Sequence, residues 1–417
     1  MTHERVLTIV LRGPRDPAAP SRLGAVRLVT AGLLVVAAII VGIVVNAHDP
    51  DLLYASAAPI FGNWDPHVGP GTPLAVLIAF LVVAKGPELI EHRFALPIAY
   101  AASVAFTFSL AMIDGWGRFV TRLTTEDEYL HEVPGITDVP AMLRGFAARI
   151  PDFQPDSWTT HVSGHPPGAL LTFVALDRVG LGGGAAASIF CVLVGSLAVI
   201  AIPKAIDNNA VLPFLVLFPG AVWVGASADG MFMGVAAVGL YLLTRWPVLG
   251  GVVLGWCLFL SYGLVLLAPL AIVAVGWKAG WKIGWAVAGA LAVVGAFALS
   301  GFWWLDGYEL VKLRYYQGIG ATRPYWYWVW ANLAALALVI GPAGIKGLRR
   351  DKWVVAAGVA ILAADLSGLS KAETERIWLP FAVWLMVGTA KLDHRKRWLT
   401  AQAITALAVN HLVLTNW

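Results

Sequence analysis

The run from Leu28 to Ala47, LVTAGLLVVAAIIVGIVVNA, is twenty residues long and carries no charge. A helix rises about 1.5 Å per residue, so such a run reaches across the roughly 30 Å hydrocarbon layer of a bilayer. Similar runs recur to the end of the chain. Of 417 residues, 59% are hydrophobic and 13% charged, with mean hydropathy +0.75. Soluble chains run about 45–50% apolar and about 25% charged. A soluble particle has no place for the excess, because one core stops growing beyond roughly 250–300 residues. Composition therefore excludes a soluble enzyme, a disordered chain and a nucleic-acid binder. The expected fold is all-α: a polytopic transmembrane helical bundle of 12–13 spans, a single integral membrane domain over residues 1–417.

The spans read as Leu28–Ala47, Pro73–Ala84 and Phe94–Ile113, then Pro166–Leu176, Ala185–Pro203, Ala210–Val224, Met231–Thr244, Trp246–Trp277 (a pair) and Ile283–Gly301. Four more follow near Trp326–Ile345, Trp353–Ala364, Ile377–Thr389 and Trp398–Leu414. Fifteen cations share one side: Arg5, Arg12, Arg15, Arg22, Arg27, Lys85, Arg93, Lys346, Arg349, Arg350, Lys352, Lys391, Arg395, Lys396 and Arg397. The positive-inside rule makes that side, and the N-terminus, cytoplasmic in a multi-pass plasma-membrane protein. The first span reads as uncleaved. Stretches 114–165, 303–325 and 369–376 then lie outside. Parity requires an even number of crossings between the first two of these, and seven apolar segments are present. Ala210–Val224, short and broken by Pro213, Pro219 and Gly220, is expected to be a half-span.

The outside stretches carry the chemistry. The 114–165 loop is acidic and contains Glu126-Asp127-Glu128-Tyr129. Crowded, partly buried carboxylates gain the basicity to take a proton from a hydroxyl near neutral pH; a solvated acidic loop is the alternative. Asp138 caps an expected amphipathic helix whose Val139, Leu143, Phe146 and Ile150 share a face, lying on the membrane surface or packed in the loop. His165-Pro166-Pro167-Gly168 opens a span. The 303–325 loop and its flank are aromatic: Trp303, Trp304, Tyr308, Tyr315, Tyr316, Tyr325, Trp326, Tyr327, Trp328 and Trp330, suited to an interfacial belt or to stacking a sugar. In Gly368–Arg376, Lys371 and Arg376 need a partner: Glu373 and Glu375, or a lipid phosphate. Asp229 and Asp365 are functional candidates or interface residues, and Asp65 with His67 is a rival acid site or a Pro-punctuated turn. Cys191 and Cys257 read as small buried hydrophobes. No metal-ligand spacing is present, so no metal or other cofactor is expected.

In order, these motifs resemble the GT-C superfamily of polytopic glycosyltransferases, most of all the branch of protein O-mannosyltransferases and the aminoarabinose transferase of lipid A. Asp127-Glu128 matches that branch's acidic pair in an outside loop. His165-Pro166-Pro167 matches its Lys/His-Pro-Pro opening. Arg323-Pro324-Tyr325-Trp326-Tyr327 matches its Arg-Pro-Tyr-Tyr loop. Ser370-Lys371 with Leu379-Pro380 matches its late Ser-Lys segment. The match covers about residues 120–390. Richness in Ala, Gly, Val and Trp points to a bacterial, high-GC source.

The resemblance implies an inverting transfer of a sugar from a polyprenyl-phosphate donor to a cell-envelope glycan, lipid or protein at the outer face, with membrane lipids as surroundings and no nucleic-acid partner. Asp127 or Glu128 would be the base, with Asp65 as rival. Lys371, Arg376 and Arg323 would hold the donor phosphate, and His165, Tyr129, Tyr325 and Tyr327 would position substrate. The alternative is a non-catalytic relative acting in lipid-linked sugar transport or envelope assembly. The two differ on whether the acidic and cationic stretches converge.

Overall fold

The Leu28–Ala47 run is the middle of one helix, Ala19–His48, in a computed structural model that describes residues 19–276 and 280–416. The leader residues Arg5, Arg12 and Arg15 lie outside the described residues. The other apolar runs also fold as helix, whole or in pieces, and two three-residue strands are the sheet content among the described residues. Five helices there are long and apolar enough to cross a membrane: Leu23–His48, Thr72–Leu89, Gly184–Ile206, Gly280–Leu299 and Tyr325–Gly347. A sixth is added if Ala95–Ala111 and Gly115–Thr124, bent by 101°, count as one. The number is below the 12–13 runs read from sequence because several fold as shorter helices, such as Pro247–Leu260, Tyr262–Val275 and Leu379–Lys391.

These helices turn apolar surface outward. Leu33 and Phe80 are each 66% exposed, and Leu291 is 59% exposed. Water disfavours such a continuous apolar surface, whereas lipid accepts it. The chain is a membrane protein. Two stretches of its core, 211–234 and 378–390, are buried at every residue. The first is irregular. Its prolines leave a five-residue helix, Leu212–Val216, and a 3-10 turn, Pro219–Trp223. Such backbone survives at membrane depth only when wrapped in protein. The kink at Gly341-Pro342 is repaired in the same spirit: Gln402 Nε2 donates to Ile340 O at 2.9 Å, and its Oε1 accepts from Ala343 N at 3.0 Å.

The bundle has two distinct ends. At the basic end Arg27 donates to Leu348 O, Lys346 lies over the Trp398 ring at 5.8 Å, and Lys85 and Lys396 face Glu88 at 3.2 and 3.7 Å. The loop end holds 49–71, 114–165, 303–324 and 367–377. There Gly62–Trp64 pairs antiparallel with Val413–Thr415, Gly62 opposite Thr415. His67 Nε2 contacts Asp114 at 2.8 Å and Arg118 reaches Thr415 O, so the Gly62–His67 run serves to clasp the C-terminal strand.

One expectation changes. Ala210–Val224 is not the half-span. Pro213 packs on Gly86 near the basic end of Thr72–Leu89, while Gly225 packs on Ala111 at the loop end of Ala95–Ala111, so the broken stretch runs the length of the bundle. The segment that stays at one end is Pro167–Arg178. Gly168 abuts Phe259 O, Arg178 donates to Ile136 O and Thr137 O at 3.4 Å, and Gly184 abuts Val120 O. Twelve helical residues give about 18 Å, too little to cross. For the helix after Asp138, the packed alternative of the two holds. Asp138 does cap Val139–Gly145, accepting from Ala141 N at 3.0 Å. Its apolar face turns inward: Leu143, Phe146 and Ile150 are buried, with Phe146 against Trp158 and Phe302.

Glycine brings two backbones together where lipid gives helices no hydrophobic drive to associate. A Cβ on Gly251 would sit 2.0 Å from Ala286 O, and one on Gly289 would sit 2.3 Å from Val248 O. Gly251→Val is expected to destabilise the protein by about 1–3 kcal/mol. Gly284→Val, with nothing within 4 Å, is the control. Thermal unfolding in detergent checks this; equal midpoints for the two variants would refute the close packing.

Candidate functional site at the loop end

Arg376 stands where the two buried stretches meet. It lies in the short helix Thr374–Ile377, immediately before the 378–390 core, and is 6% exposed. Its Nη1 donates to Asp229 Oδ2 at 2.5 Å. Asp229 is placed by local capping. Ser227 is the N-cap of Ala228–Arg245 and its Oγ accepts from Asp229 N at 3.1 Å, so the carboxylate sits in the first turn, where the helix dipole favours negative charge. Arg376 Nη2 donates to Glu373 Oε2 at 2.5 Å and to His161 Nε2 at 3.2 Å. Burial works to lower the Arg376 pKa, but Asp229 and Glu373 outweigh it and hold the guanidinium above its ordinary value.

Glu373 bridges two arginines, since its Oε1 also accepts from Arg323 Nη1 at 3.0 Å. Burial would raise this carboxyl; Arg376 and Arg323 overcome that and bring it down to about 2. Arg323 Nη1 donates as well to Lys371 O at 3.0 Å, and its guanidinium lies 5.1 Å from the Phe61 ring. Lys371 has neutral partners: Nζ donates to Gly320 O at 2.9 Å and lies 6.0 and 5.6 Å from the Tyr315 and Tyr316 rings. Glu375 is fully buried. Its Oε1 accepts from Phe61 N at 2.8 Å and its Oε2 has no partner. Burial pushes this carboxyl up to about 7, against the pull of the Phe61 N–H.

The acidic loop reaches the same arginine through His161. A guanidinium can only donate, so His161 Nε2 accepts and the proton resides on Nδ1, which donates to Asp127 O at 2.9 Å. Glu128 Oε1 is 3.6 Å from the same Nδ1 and 3.8 Å from Arg122 Nη2. The two acids differ. Glu128 is buried, whereas Asp127 is exposed, its Oδ1 accepting from Thr160 Oγ1 at 2.8 Å. His165 Nδ1 donates to His161 O at 2.7 Å; burial lowers its pKa to about 4, which keeps it neutral. Tyr129 is buried against His165 and Phe173, with its hydroxyl unpartnered.

Of the residues singled out in the sequence, Asp127, Glu128, Tyr129, His165, Arg323, Lys371 and Arg376 gather here. Tyr325 is at the rim, 40% exposed. Tyr327 is elsewhere: it is buried against the first helix and its hydroxyl donates to Ala38 O at 2.9 Å, which makes it a packing residue. The aromatic belt divides likewise, with Trp303 and Trp326 exposed and Trp328 buried. Asp65 is exposed beside the strand pair, its N–H bonded to Leu412 O. His161 and Arg122 escaped the sequence reading. The His161-x3-His165 spacing was the available signal, since residues four apart fall on one side of a helical turn. No family model, curated protein or solved structure matches the chain.

Removing Arg376 as Arg376→Met leaves buried Asp229 without its cation and half-buried Glu373 with Arg323 alone, a loss expected to be about 3–5 kcal/mol. Adding Asp229→Asn to that variant should recover part of it. Denaturation in detergent checks both; an undiminished Arg376→Met midpoint would contradict the pairing. Glu375 has a folded pKa near 7 against an ordinary 4.5, so its contribution to stability is complete below pH 4.5 and lost as pH rises through 7. Glu375→Gln should flatten this part of the stability–pH profile, and an unchanged slope would count against the assignment.

Proposed function

We propose that the chain is a membrane glycosyltransferase of the GT-C kind. It moves a sugar from a polyprenyl-phosphate donor to a cell-envelope acceptor at the outer face of the plasma membrane. The observation carrying this reading is convergence. Glu128 and Arg376 come from stretches some 250 residues apart, yet one imidazole, His161, separates them at 3.6 and 3.2 Å. A merely spanning bundle has no need to bring its scarce charges to one point.

The topology supports the outward placement. With Pro167–Arg178 as the half-span, six crossings link the 114–165 and 303–324 stretches: 184–206, 210–226, 228–245, 247–260, 262–275 and 280–299. This restores even parity, with the shorter and broken pieces counted as crossings beside the long helices. The first helix separates residue 19 from Gly62–Trp64, which pairs with the C-terminal strand. With the basic end cytoplasmic, the loop end faces outward.

In this mechanism exposed Asp127 takes the proton from the acceptor hydroxyl, while buried Glu128 anchors the loop to Arg122 and His161. His165 steadies His161 from below through its carbonyl. Lys371, with Nζ donors to spare, and the Arg323–Arg376 pair meet the phosphate as charge develops on it in the transition state. Tyr325 and the exposed tryptophans line the rim where a sugar would stack. The chemistry asks for no further cofactor.

A second reading, lipid-linked sugar transport or envelope assembly without catalysis, draws on one observation: both arginines are already matched by internal carboxylates. Purified protein in nanodiscs, supplied with short-chain polyprenyl-phosphate sugars and candidate acceptors, separates the two. Asp127→Asn with Glu128→Gln is expected to reduce transfer by about 10²–10⁴-fold, the usual share of a general base. Full transfer in that double variant would remove the mechanism. Absence of transfer by the native chain, with envelope glycan unaltered in cells carrying the double variant, would favour the second reading.

A further inference from the structure

Three features of the Lys371–Glu373 turn belong together. Ala372 and Glu373 both adopt left-handed backbone, φ 67° and 60°, although neither is glycine or asparagine. Such backbone is disfavoured for a residue that carries a Cβ and persists only where its surroundings impose it. The strained backbone delivers one carboxylate, Glu373, between two buried guanidiniums, with Oε1 on Arg323 at 3.0 Å and Oε2 on Arg376 at 2.5 Å. Among the described residues the neighbouring cation, Lys371, meets a carbonyl oxygen and two aromatic rings.

Glu373 is not what a permanent counterion would look like. Arg376 already has one in Asp229, placed at a regular, capped helix start. Arg323 already donates to two carbonyls, Lys371 O at 3.0 Å and Tyr54 O at 3.4 Å. If Glu373 swings out, Arg323, Arg376 and Lys371 face Asp229 alone, because Glu128 is balanced by Arg122 and buried Glu375 stays largely neutral below about pH 7. The vacated place then carries about two positive charges. Two oxygens bridging two guanidiniums is also the geometry of an arginine-bound phosphate.

We propose that Glu373 is a built-in plug in a phosphate site formed by Arg323, Arg376 and Lys371, displaced when a phosphate monoester dianion enters. The inference rests on the donor-phosphate reading above and adds its regulation: the site is closed at rest and opens to the group that leaves the sugar. The excess of about two charges fits that dianion better than the singly charged diester of the donor. The plug lowers apparent affinity by the fraction of time the turn is open.

The test uses the full chain in nanodiscs and two probes, inorganic phosphate and farnesyl phosphate held in neutral-lipid vesicles, with native protein and Glu373→Gln side by side. Glu373→Gln keeps the shape and removes the charge, and it should bind about tenfold tighter or more. Tightening for both probes shows a site that reads phosphate alone. Tightening for farnesyl phosphate alone assigns it to the lipid headgroup, and tightening for inorganic phosphate alone assigns it to the free ion; each supports the plug. Equal affinity of native and variant protein would overturn the plug while leaving the phosphate site standing. Binding by neither would overturn both. Should Glu373→Gln fail to fold, hydrogen exchange on the native protein decides: amides 371–376 should exchange faster with farnesyl phosphate present, and unchanged exchange overturns the proposal.

Discussion

The structure turns on one buried ion pair, Arg376 with Asp229. Burying either charge alone in a lipid-surrounded bundle would cost several kcal/mol, and mutual attraction offsets this only when geometry and extra hydrogen bonds are good. Both conditions hold. Asp229 is presented by a capped helix start, and Arg376 spends its two terminal nitrogens on three partners. The pair also ties the wholly buried stretch 211–234 to the residues just before the second one, 378–390, and Leu379 packs against Gly220 between the same two stretches.

From that pair the loop end is assembled outward. Glu373 adds Arg323, and Arg323 adds the Phe61 and Tyr54 region of the first loop. His161 adds the acidic loop, and His165 holds His161 from below. Each link is a hydrogen bond or ion pair of fixed geometry, so the loops are positioned by chemistry rather than by the bundle's apolar packing, which has no directional preference. The irregular backbone of the broken helix 212–223 persists because protein surrounds it on every side.

Much of the bundle was legible in the sequence because lipid imposes a simple rule: every backbone polar group in an apolar run must be satisfied within a helix. The runs from Leu28, Pro73, Ile283 and Trp326 needed no tertiary information to be read as helices. The rule fails where protein replaces lipid. Ala210–Val224 looked too broken to run the length of the bundle, and only its contacts with Gly86 and Ala111 reveal that it does. Pro167–Arg178 looked like an ordinary span, yet both its ends pack among the loops.

For the site, the sequence determined the inventory. Scarcity of charge singled out Asp127, Glu128, Arg323, Lys371 and Arg376, since an ionised group beside a bilayer needs a reason to be there. What it could not determine was the pairing, because partners separated by 50 to 215 positions leave no periodic trace. Tertiary structure alone decided that Asp229 and Glu373 pair with Arg376, that His161 relays the acidic loop to it, and that Tyr327 belongs to packing. The physical reason is that hydropathy is a property of each segment by itself, whereas a buried charge is satisfied only by whatever the folded chain brings within about 3 Å of it.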